Sequence, residues 1–390
     1  MVGPMKVLFV VSPGIGHAFP LVPLAWALRA AGNDVLVASH GPALEGAGLV
    51  VSDTMPGFDM VAWMRSQPEF AKQARGQGQG SQRPTGMAGA FGFLAKHSDL
   101  RVDGVVRVAT EWRPDLLVQS HVDGAGLVAA AKLGIPLVNH GFGFSRIGAG
   151  EYAKLFQDHM ADAFDRHGVS AAPSPDVMVQ VAPPSMTGDT TVGWPMRYVP
   201  FNGGGQRPEW LSVTDGRPRI AVTLGSVSGK SGGYSVVERV IAAAEGLDVE
   251  LVLALGDEVD STTFGALPPY VRVAGWMPLN VLLPSCAALI HHGGAGTTLT
   301  ALDAGVPQLI VPSGADRYIN ADAVAARGVG VSCLDGAVEA PMLDRLLHDD
   351  GLRAAATAVS IEMRAMPSPV SLVPALEALA GSGDRPPSAL

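Results

Sequence analysis

A glycine-rich turn between an apolar run and a helix-like run is the strongest chemical signal in the sequence. It reads LIHHGGAGTT over residues 289–298, and Gly293, Gly294 and Gly296 leave backbone N–H groups exposed where the helix should begin. Such groups bind anionic oxygens, and His292 and Thr297 can add side-chain hydrogen bonds. The Lys of a P-loop is absent. The turn therefore predicts an anion site, and a close-packed turn without a ligand is the alternative.

His17 lies in a second turn, SPGIGHAFP over residues 12–20, between the first apolar run and the first helix-like run. A dinucleotide site would need a third glycine at position 19, where this chain has Phe19. The amino end of the following helix disfavours an imidazolium, so we expect His17 to be neutral at neutral pH and able to accept a proton. This is the requirement for a general base, and a histidine that only closes the turn is the alternative.

Asp123 is the candidate partner of that base. It follows the apolar run Leu116–Gln119, and if this strand lies beside the first one, the carboxylate can approach and orient His17. The same aspartate precedes a helix-like run that begins near Gly124, where such a side chain commonly caps a helix. The two roles are compatible.

Polar and aromatic positions also follow predicted strands in the second half of the chain. Asp316 could accept hydrogen bonds from sugar hydroxyls, and the hydroxyl of Ser226 could meet a phosphate. Trp276, followed by Met277, could offer an aromatic edge or backbone groups to a nucleobase. For Ser226 and Trp276, a purely structural role is the alternative.

Two open α/β domains would position these residues. Short β-branched runs alternate with helix-like runs, which predicts βαβ units and parallel sheets covered by helices on both faces. The pattern begins at Val7–Val11 and restarts at Ile220–Leu224, so we expect the α/β class with two doubly wound domains. Between them, Pro195 and the Gly203–Gly205 triplet prevent a continuous element. The expected parts are an N-terminal domain at 1–200, a linker at 201–215 and a C-terminal domain at 216–390.

The composition excludes several classes of protein. The chain has 390 residues, enough for two domains, and 47% are hydrophobic, which excludes disorder as the main state. A net charge of −9 without a basic cluster argues against nucleic acid as a partner. Two cysteines are too few for a disulfide framework, and no apolar run reaches the about 18 residues of a membrane span, so we expect a cytoplasmic protein without membrane contact.

Missing motifs narrow the chemistry further. The sequence has no D-x-D triplet and no carboxylate cluster with the spacing of metal ligands, so we expect no essential metal. It also lacks the G-x-S-x-G motif of α/β-hydrolases, which leaves a hydrolase mechanism without its nucleophile.

Three segments together resemble the bacterial nucleotide-sugar-dependent glycosyltransferases that decorate polyketide and glycopeptide antibiotics. They are SPGIGHAFPLVPLAWALRAAGNDVLVA, VPFNGGG and GWMPLNVLLPSCAALIHHGGAGTTLTALDAGVPQLIVPSGADRYINA, in that order. The resemblance implies a GT-B fold, in which two Rossmann-like domains face each other across a cleft. The N-terminal domain would bind the acceptor and the C-terminal domain the donor. The last helix, at about 370–380, is expected to pack back on the N-terminal domain.

Matched by position, the resemblance assigns the catalytic base to His17 and an orienting carboxylate to Asp123. It assigns the remaining donor-site roles to a larger set: His292, Gly293, Gly294, Gly296, Thr297 and Ser226 at the diphosphate, Trp276 and Met277 at the nucleobase, and Asp316 at the sugar. The residue after this acid is commonly Gln in relatives and is Arg317 here, so the identity of the sugar stays open.

The resemblance implies an inverting, metal-independent transfer of a deoxysugar from a TDP-sugar to a lipophilic aglycone, often an aromatic polyketide. The nucleotide-sugar is a co-substrate, so we expect no cofactor. The expected partners are small molecules, with a homodimer as one candidate assembly. His17 favours O-transfer, and C-transfer to an aromatic ring carbon is the alternative. A sugar-nucleotide 2-epimerase and a non-catalytic helper with the same fold are the alternatives from other classes.

Overall fold

Two parallel β-sheets form the framework of the protein. The computed structural model describes residues 4–67, 88–144, 147–188, 193–213, 215–225, 234–257, 259, 263–313 and 316–381. In both sheets, buried side chains pack in separate clusters on the two faces. The predicted α/β class with two Rossmann-like domains is therefore confirmed. Ser226, the predicted phosphate contact, lies outside the described residues.

The N-terminal sheet has seven parallel strands in the order β3-β2-β1-β4-β5-β6-β7. They are β1 (Lys6–Val10), β2 (Asp34–Ser39), β3 (Val51–Asp53), β4 (Leu116–Ser120), β5 (Leu137–His140), β6 (Val177–Gln180) and β7 (Trp194–Pro195). Along β1, Val7 and Phe9 enter one buried cluster while Leu8 and Val10 enter the other, as in a strand with both faces covered. The strand order reverses between β1 and β4, so their carboxyl ends flank the crevice where such sheets bind ligands.

The C-terminal sheet has six parallel strands in the order β10-β9-β8-β11-β12-β13. They are β8 (Arg219–Thr223), β9 (Glu250–Leu253), β10 (Val271–Val273), β11 (Ala288–His291), β12 (Gln308–Ile310) and β13 (Gly330–Ser332). Thr223 pairs with His291 at the carboxyl ends of β8 and β11, where the strand order again reverses. The first sheet ends at Pro195 and the second begins at Arg219, and the domain limits at residues 200 and 216 stay predictions.

Helices connect the strands. They are α1 (Ile15–Ala18), α2 (Val22–Ala30), α3 (Met60–Ser66), α4 (Ala88–Trp112), α5 (Ala125–Leu133), α6 (Ala149–His159), α7 (Ala161–Arg166), α8 (Pro184–Thr187), α9 (Ser235–Ala243), α10 (Leu279–Leu282), α11 (Ala295–Ala304), α12 (Arg317–Arg327), α13 (Ala340–His348), α14 (Asp350–Ala365) and α15 (Pro369–Gly381). The first helix-like run, at 20–31, is not one continuous helix but a 3-10 turn followed by α2, because Pro20 and Pro23 lack the N–H donors of a regular helix. None of the described helices is both long and apolar enough to cross a membrane.

The last helix returns to the N-terminal sheet. α15 packs against α2, and Leu376 shares one buried cluster with Leu28. At the edge of this contact, Asn33 Nδ2 donates to Glu377 Oε1 at 2.8 Å. The end of the chain therefore ties the second half of the protein to the first.

Candidate functional site

The glycine-rich turn links the carboxyl end of β11 to α11. Gly293 has a φ of +89°, a conformation that a side chain would strain, and Gly294 is extended at the N-cap. The first helical bond runs from Thr298 N to Gly294 O, so the N–H groups of Ala295, Gly296 and Thr297 precede it. Gly294 has no side chain that could cap them. The turn therefore presents N–H groups and the positive end of a helix of ten residues, a combination that stabilises anions.

His291 stabilises this turn through hydrogen bonds of both ring nitrogens. Its Nε2 lies 2.9 Å from Gln308 Oε1, and its Nδ1 accepts a hydrogen bond from Gly293 N at 3.2 Å. Burial lowers the pKa of His291 to about 4, so the ring is neutral and can keep both bonds. The N–H of Gly293 is consequently used inside the protein. Gly293 supplies the bend of the turn, whereas the N–H groups that follow Gly294 are the ones placed for a ligand.

His292 points in a different direction and fits between two glycines. A Cβ on Gly225 would lie 2.4 Å from its Cε1, and a Cβ on Gly294 would lie 2.6 Å from its Nε2. The buried Nδ1 of His292 has no hydrogen-bond partner within the described protein. Burial, followed by the charges of Arg317 and His291, holds its pKa well below the usual value. His292 is thus a neutral imidazole beside the helix end, with a nitrogen left for a ligand.

Asp316 is connected to the same turn through Asn320. Asp316 is the N-cap residue of α12, and its Oδ2 accepts a hydrogen bond from Asn320 Nδ2 at 3.2 Å. The same Nδ2 donates to Gly293 O at 2.8 Å. This bridge fixes the predicted sugar-contacting acid relative to the anion site.

Arg317 lies beside the turn as well. Its Nη1 donates to both the carbonyl and the hydroxyl oxygen of Ser313, each at 2.7 Å. Burial lowers the pKa of Arg317, and the charge of Asp316 opposes that shift. The guanidinium is close enough to His292 to lower the pKa of that histidine. A positive charge therefore lies next to the imidazole, at a position where the sequence alone left the role open.

The two residues predicted to contact the nucleobase differ in their exposure to solvent. The ring of Trp276 is 41% exposed and lies against Gly203, while its backbone N–H donates to Asp257 Oδ1 at 2.7 Å. Met277 is buried among core side chains of the C-terminal sheet, including Leu282. The exposed indole can offer a face to a base, whereas Met277 could contact one only through its backbone.

His17 lies in α1, directly after the carboxyl end of β1. Its half-buried ring stacks on Phe142, with the ring centroids 5.2 Å apart, and its buried Nδ1 has no partner within the described residues. Burial lowers the pKa of His17, while the charges of Asp316 and Asp123 oppose the shift. The imidazole is therefore neutral at neutral pH, as predicted for a general base.

Asp123 does not hydrogen-bond His17, which corrects the predicted direct contact. Its Oδ2 forms a buried ion pair with Arg101, and its Oδ1 accepts the N–H of Ala125 at 3.0 Å, at the start of α5. This bond closes the turn that leads into α5, whereas the N-cap residue of that helix is Gly124 and not Asp123. Asp123 acts on His17 through its charge, which opposes the lowering of the His17 pKa by burial.

Contacts between the two domains bring the candidate base and the candidate anion site close together. Next to Phe142, Gly143 approaches the start of α11 so closely that a Cβ on it would lie 3.3 Å from the Cβ of Ala295. Tyr198 OH donates to Gly296 O at 3.3 Å. The charge of Asp316, at the N-cap of α12, also acts on the pKa of His17. The loop that stacks on His17 therefore lies against the start of α11, at the candidate anion site.

Sequence reasoning missed several buried residues near the base. Arg101 of α4 is fully buried and donates to Val11 O at 2.8 Å, directly after β1, and to Ala38 O at 3.1 Å, within β2. His40 and His97 lie in the same region and are also buried. Only His40 carried a usable signal, because it lies just after an apolar run, at what the structure shows to be the end of β2. Nothing local distinguishes Arg101 from an arginine on the solvent face of a helix.

Among the residues described above, no group of three or more His, Cys, Asp or Glu side chains has an arrangement that could hold a metal ion.

Comparison with known families matches nearly the whole chain. Residues 26–225 match the N-terminal domain model described as erythromycin biosynthesis protein CIII-like, and residues 238–379 match the C-terminal domain model of the same description.

Individual relatives agree with these matches. The chain is 40% identical to the elloramycin glycosyltransferase ElmGT of Streptomyces olivaceus, over 97% of this chain and 98% of that protein. The crystal structure of the glycosyltransferase SnogD from Streptomyces nogalater superposes with a TM-score of 0.83 at 39% identity, covering 96% of this chain and 100% of that chain. The spinosyn rhamnosyltransferase SpnG, complexed with thymidine diphosphate, gives a TM-score of 0.80 at 30% identity, covering 96% and 100%.

Proposed function

The chain belongs to the erythromycin biosynthesis protein CIII-like glycosyltransferases, and from this premise we propose a specific reaction for it. It transfers a deoxysugar from a TDP-sugar to a hydroxyl group of a lipophilic natural-product aglycone. The transfer inverts the anomeric carbon and uses neither a metal nor a cofactor. The solved relative with bound thymidine diphosphate supports TDP as the nucleotide, and the antibiotic in the name of the elloramycin glycosyltransferase ElmGT supports the acceptor class.

One observation carries the proposal: the loop that stacks on a neutral imidazole in one domain lies against the candidate anion-binding helix end in the other. His17 stacks on Phe142, and a Cβ on the adjacent Gly143 would lie 3.3 Å from the Cβ of Ala295 at the first turn of α11. An acceptor oxygen at His17 and a diphosphate at α11 would therefore be held on opposite sides of one sugar. This arrangement matches an in-line displacement, in which the nucleophile enters opposite the leaving group.

His17 takes the role of general base in this reaction. The acceptor O–H donates to the neutral imidazole, which removes the proton as the oxygen attacks the anomeric carbon. The lowered pKa keeps the ring unprotonated when the acceptor binds. The negative charge of Asp316 and Asp123 then stabilises the imidazolium that forms, so the proton can be held without a direct carboxylate contact.

The leaving group is stabilised by the C-terminal turn. As the bond from the anomeric carbon to the diphosphate breaks, negative charge grows on the phosphate oxygens. The N–H groups at the start of α11 and the imidazole of His292 can donate to those oxygens, and Arg317 adds a positive charge nearby. These groups are fixed in place before the reaction, so they supply the electrostatic help that a metal gives in other transferases.

Residues of the C-terminal domain recognise the base and the sugar of the donor. Trp276 is exposed enough to lie against the thymine, and Asp316 can accept hydrogen bonds from sugar hydroxyls while Asn320 holds it at the turn. The neighbouring Arg317 favours a sugar with hydrogen-bond acceptors on the facing edge.

A transfer assay in the presence of a metal chelator tests the proposal. The protein is incubated with a TDP-deoxysugar and a hydroxylated aromatic acceptor in excess EDTA, and the product is characterised by NMR. We expect an O-glycoside of inverted anomeric configuration. A product with retained configuration, a sugar attached to a ring carbon, or activity that returns only with added metal would each contradict a stated part of the proposal.

A further inference from the structure

The chain leaves the N-terminal sheet after β7 and reaches the C-terminal domain within a short stretch. Met196 N still donates to Gln180 O of β6 at 2.8 Å, so Met196 belongs to the edge of the sheet. The next N–H, that of Arg197, donates to Pro367 O at 2.7 Å, between α14 and α15. Residues 198–203 follow without regular secondary structure, and we call them the bridging segment.

Two side chains of the bridging segment hold α11, the helix whose start forms the candidate anion site. Tyr198 OH donates to Gly296 O at 3.3 Å. Asn202 Nδ2 donates to Thr300 Oγ1 at 3.4 Å, and this hydroxyl donates in turn to the same carbonyl of Gly296 at 2.7 Å. Both side chains therefore converge on one carbonyl in the first turn of α11.

The bonds to α11 have a fixed direction. Tyr198 is buried, and burial raises its pKa to about 12, so the phenol keeps the proton that it donates. Asn202 Oδ1 accepts the backbone N–H of Asn280 in α10 at 3.0 Å. Because a backbone N–H can only donate, the amide oxygen must face Asn280 and the amide nitrogen must face Thr300. The amide of Asn202 is consequently held at both ends.

The bridging segment also contacts the helix of the base and the candidate nucleobase contact. The ring of Phe201 meets the ring of Phe19 edge-on, with the centroids 4.9 Å apart. Phe19 directly follows α1, the helix that carries His17. Gly203 has a φ of +81°, and a Cβ on it would lie 3.4 Å from Cζ2 of Trp276. One short segment thus links the base, the anion site and the exposed indole.

We propose that Tyr198, Phe201 and Asn202 are positioning residues, which set the orientation of α11 relative to the base. This inference rests on the proposed function, because an in-line transfer needs the acceptor oxygen, the anomeric carbon and the leaving phosphate in register. Small errors in such an alignment cost much of the rate. Since the bridging segment is bonded to the C-terminal domain, a change of angle between the domains falls on Met196 and Arg197, before it.

TDP binding tests the contacts with α11. Tyr198→Phe removes only the hydroxyl, and Asn202→Ala removes only the amide. Each variant should bind TDP about 3- to 10-fold more weakly, as expected for the loss of one hydrogen bond that holds the site. Amide hydrogen exchange of α11 should also be faster in both variants, with or without TDP. Tyr270→Phe is the matched control, because it removes a phenol-to-carbonyl bond to Ile241 O, away from α11.

Transfer kinetics test the contact with the helix of the base. Phe201→Leu removes the edge-on contact with Phe19 and no group that hydrogen-bonds α11. TDP affinity should stay near the wild-type value, whereas kcat at saturating TDP-sugar should fall about 10-fold or more, because the reacting groups lose their alignment. Phe201→Tyr keeps the ring and should restore kcat. A merely structural role would lower the urea-measured stability without separating kcat from TDP affinity.

The outcomes separate this inference from the proposed function. Unchanged TDP affinity in both Tyr198→Phe and Asn202→Ala would overturn the positioning of α11, whatever their stability. Unchanged kcat in Phe201→Leu would overturn the link to the base. If the wild type neither binds TDP nor transfers a sugar, the proposed function fails instead. Hydrogen exchange then decides the contacts alone: faster exchange of α11 in the two variants supports them, and unchanged exchange overturns them.

Discussion

Replacing His17 by alanine tests the assignment of the base. General-base catalysis contributes about 10²–10⁴ in rate, or about 3–5 kcal/mol of transition-state stabilisation, so turnover should fall by at least about 100-fold. The fold should survive, because the buried Nδ1 of His17 has no partner to lose and the stack on Phe142 is worth only about 0.5–1.5 kcal/mol. TDP affinity should remain nearly unchanged, since the anion site belongs to the other sheet.

The pH profile adds a second readout of the same residue. The ordinary pKa of histidine is 6.5, and burial lowers that of His17 in the folded protein. For the wild type, kcat/KM should therefore stay level as the pH falls through 6.5 and decline only below it. The assay measures glycoside formation from a TDP-sugar over a pH series, and H348A serves as a matched control with an exposed histidine removed.

Three results would contradict the assignment of His17 as a general base with a lowered pKa. Turnover of the alanine variant within a few-fold of the wild type would remove this residue from the mechanism. A parallel loss of TDP affinity would indicate a disturbed structure rather than a missing base. An acid limb above pH 6.5 in the wild type would mean that the imidazole has a raised pKa, contrary to its burial.

Other predictions concern the surroundings of the site. Gly225→Ala should weaken TDP binding by about 10-fold or more, because its Cβ would lie 2.4 Å from the Cε1 of His292; Gly246→Ala, which shares the positive φ without a neighbour within 4 Å, should leave calorimetric TDP affinity intact. Asp123→Asn should lower the urea-measured free energy of unfolding by about 3–5 kcal/mol, because its buried arginine partner loses its countercharge; an equally stable variant would contradict the ion pair. The folded pKa of His140 is about 4, below its usual 6.5, so its contribution to stability is full above 6.5 and is lost as the pH falls to about 4. The thermal midpoint should decline over that window in wild type and decline less in H140F.

Much of the fold could be predicted because its signals are local. The strand Val7–Val11 and the glycine turn after Leu289 follow from apolar runs and from the need for N–H groups at a helix start. The parallel arrangement then places His17 and His292 at the carboxyl ends of strands. What periodicity could not foresee was the break before α2, where two prolines outweigh the helical pattern.

The internal pairing of the site could not be predicted from sequence. The partner of Asp123 is Arg101, which lies 22 positions away on α4. Only the packing of α4 over the strand ends brings the two side chains together. The division of labour between His291 and His292 depends likewise on Gln308 from the next strand. Such contacts depend on tertiary packing and cannot be predicted from a linear motif.

The most direct test of the account is calorimetric titration of the purified protein with TDP in EDTA, beside the same titration of His292→Ala. We expect the wild type to bind TDP without metal and the variant to bind at least about 10-fold more weakly, because a hydrogen bond to a charged group is lost. The absence of TDP binding by the wild type, or equal affinity in both proteins, would contradict a donor diphosphate held by His292 and the start of α11.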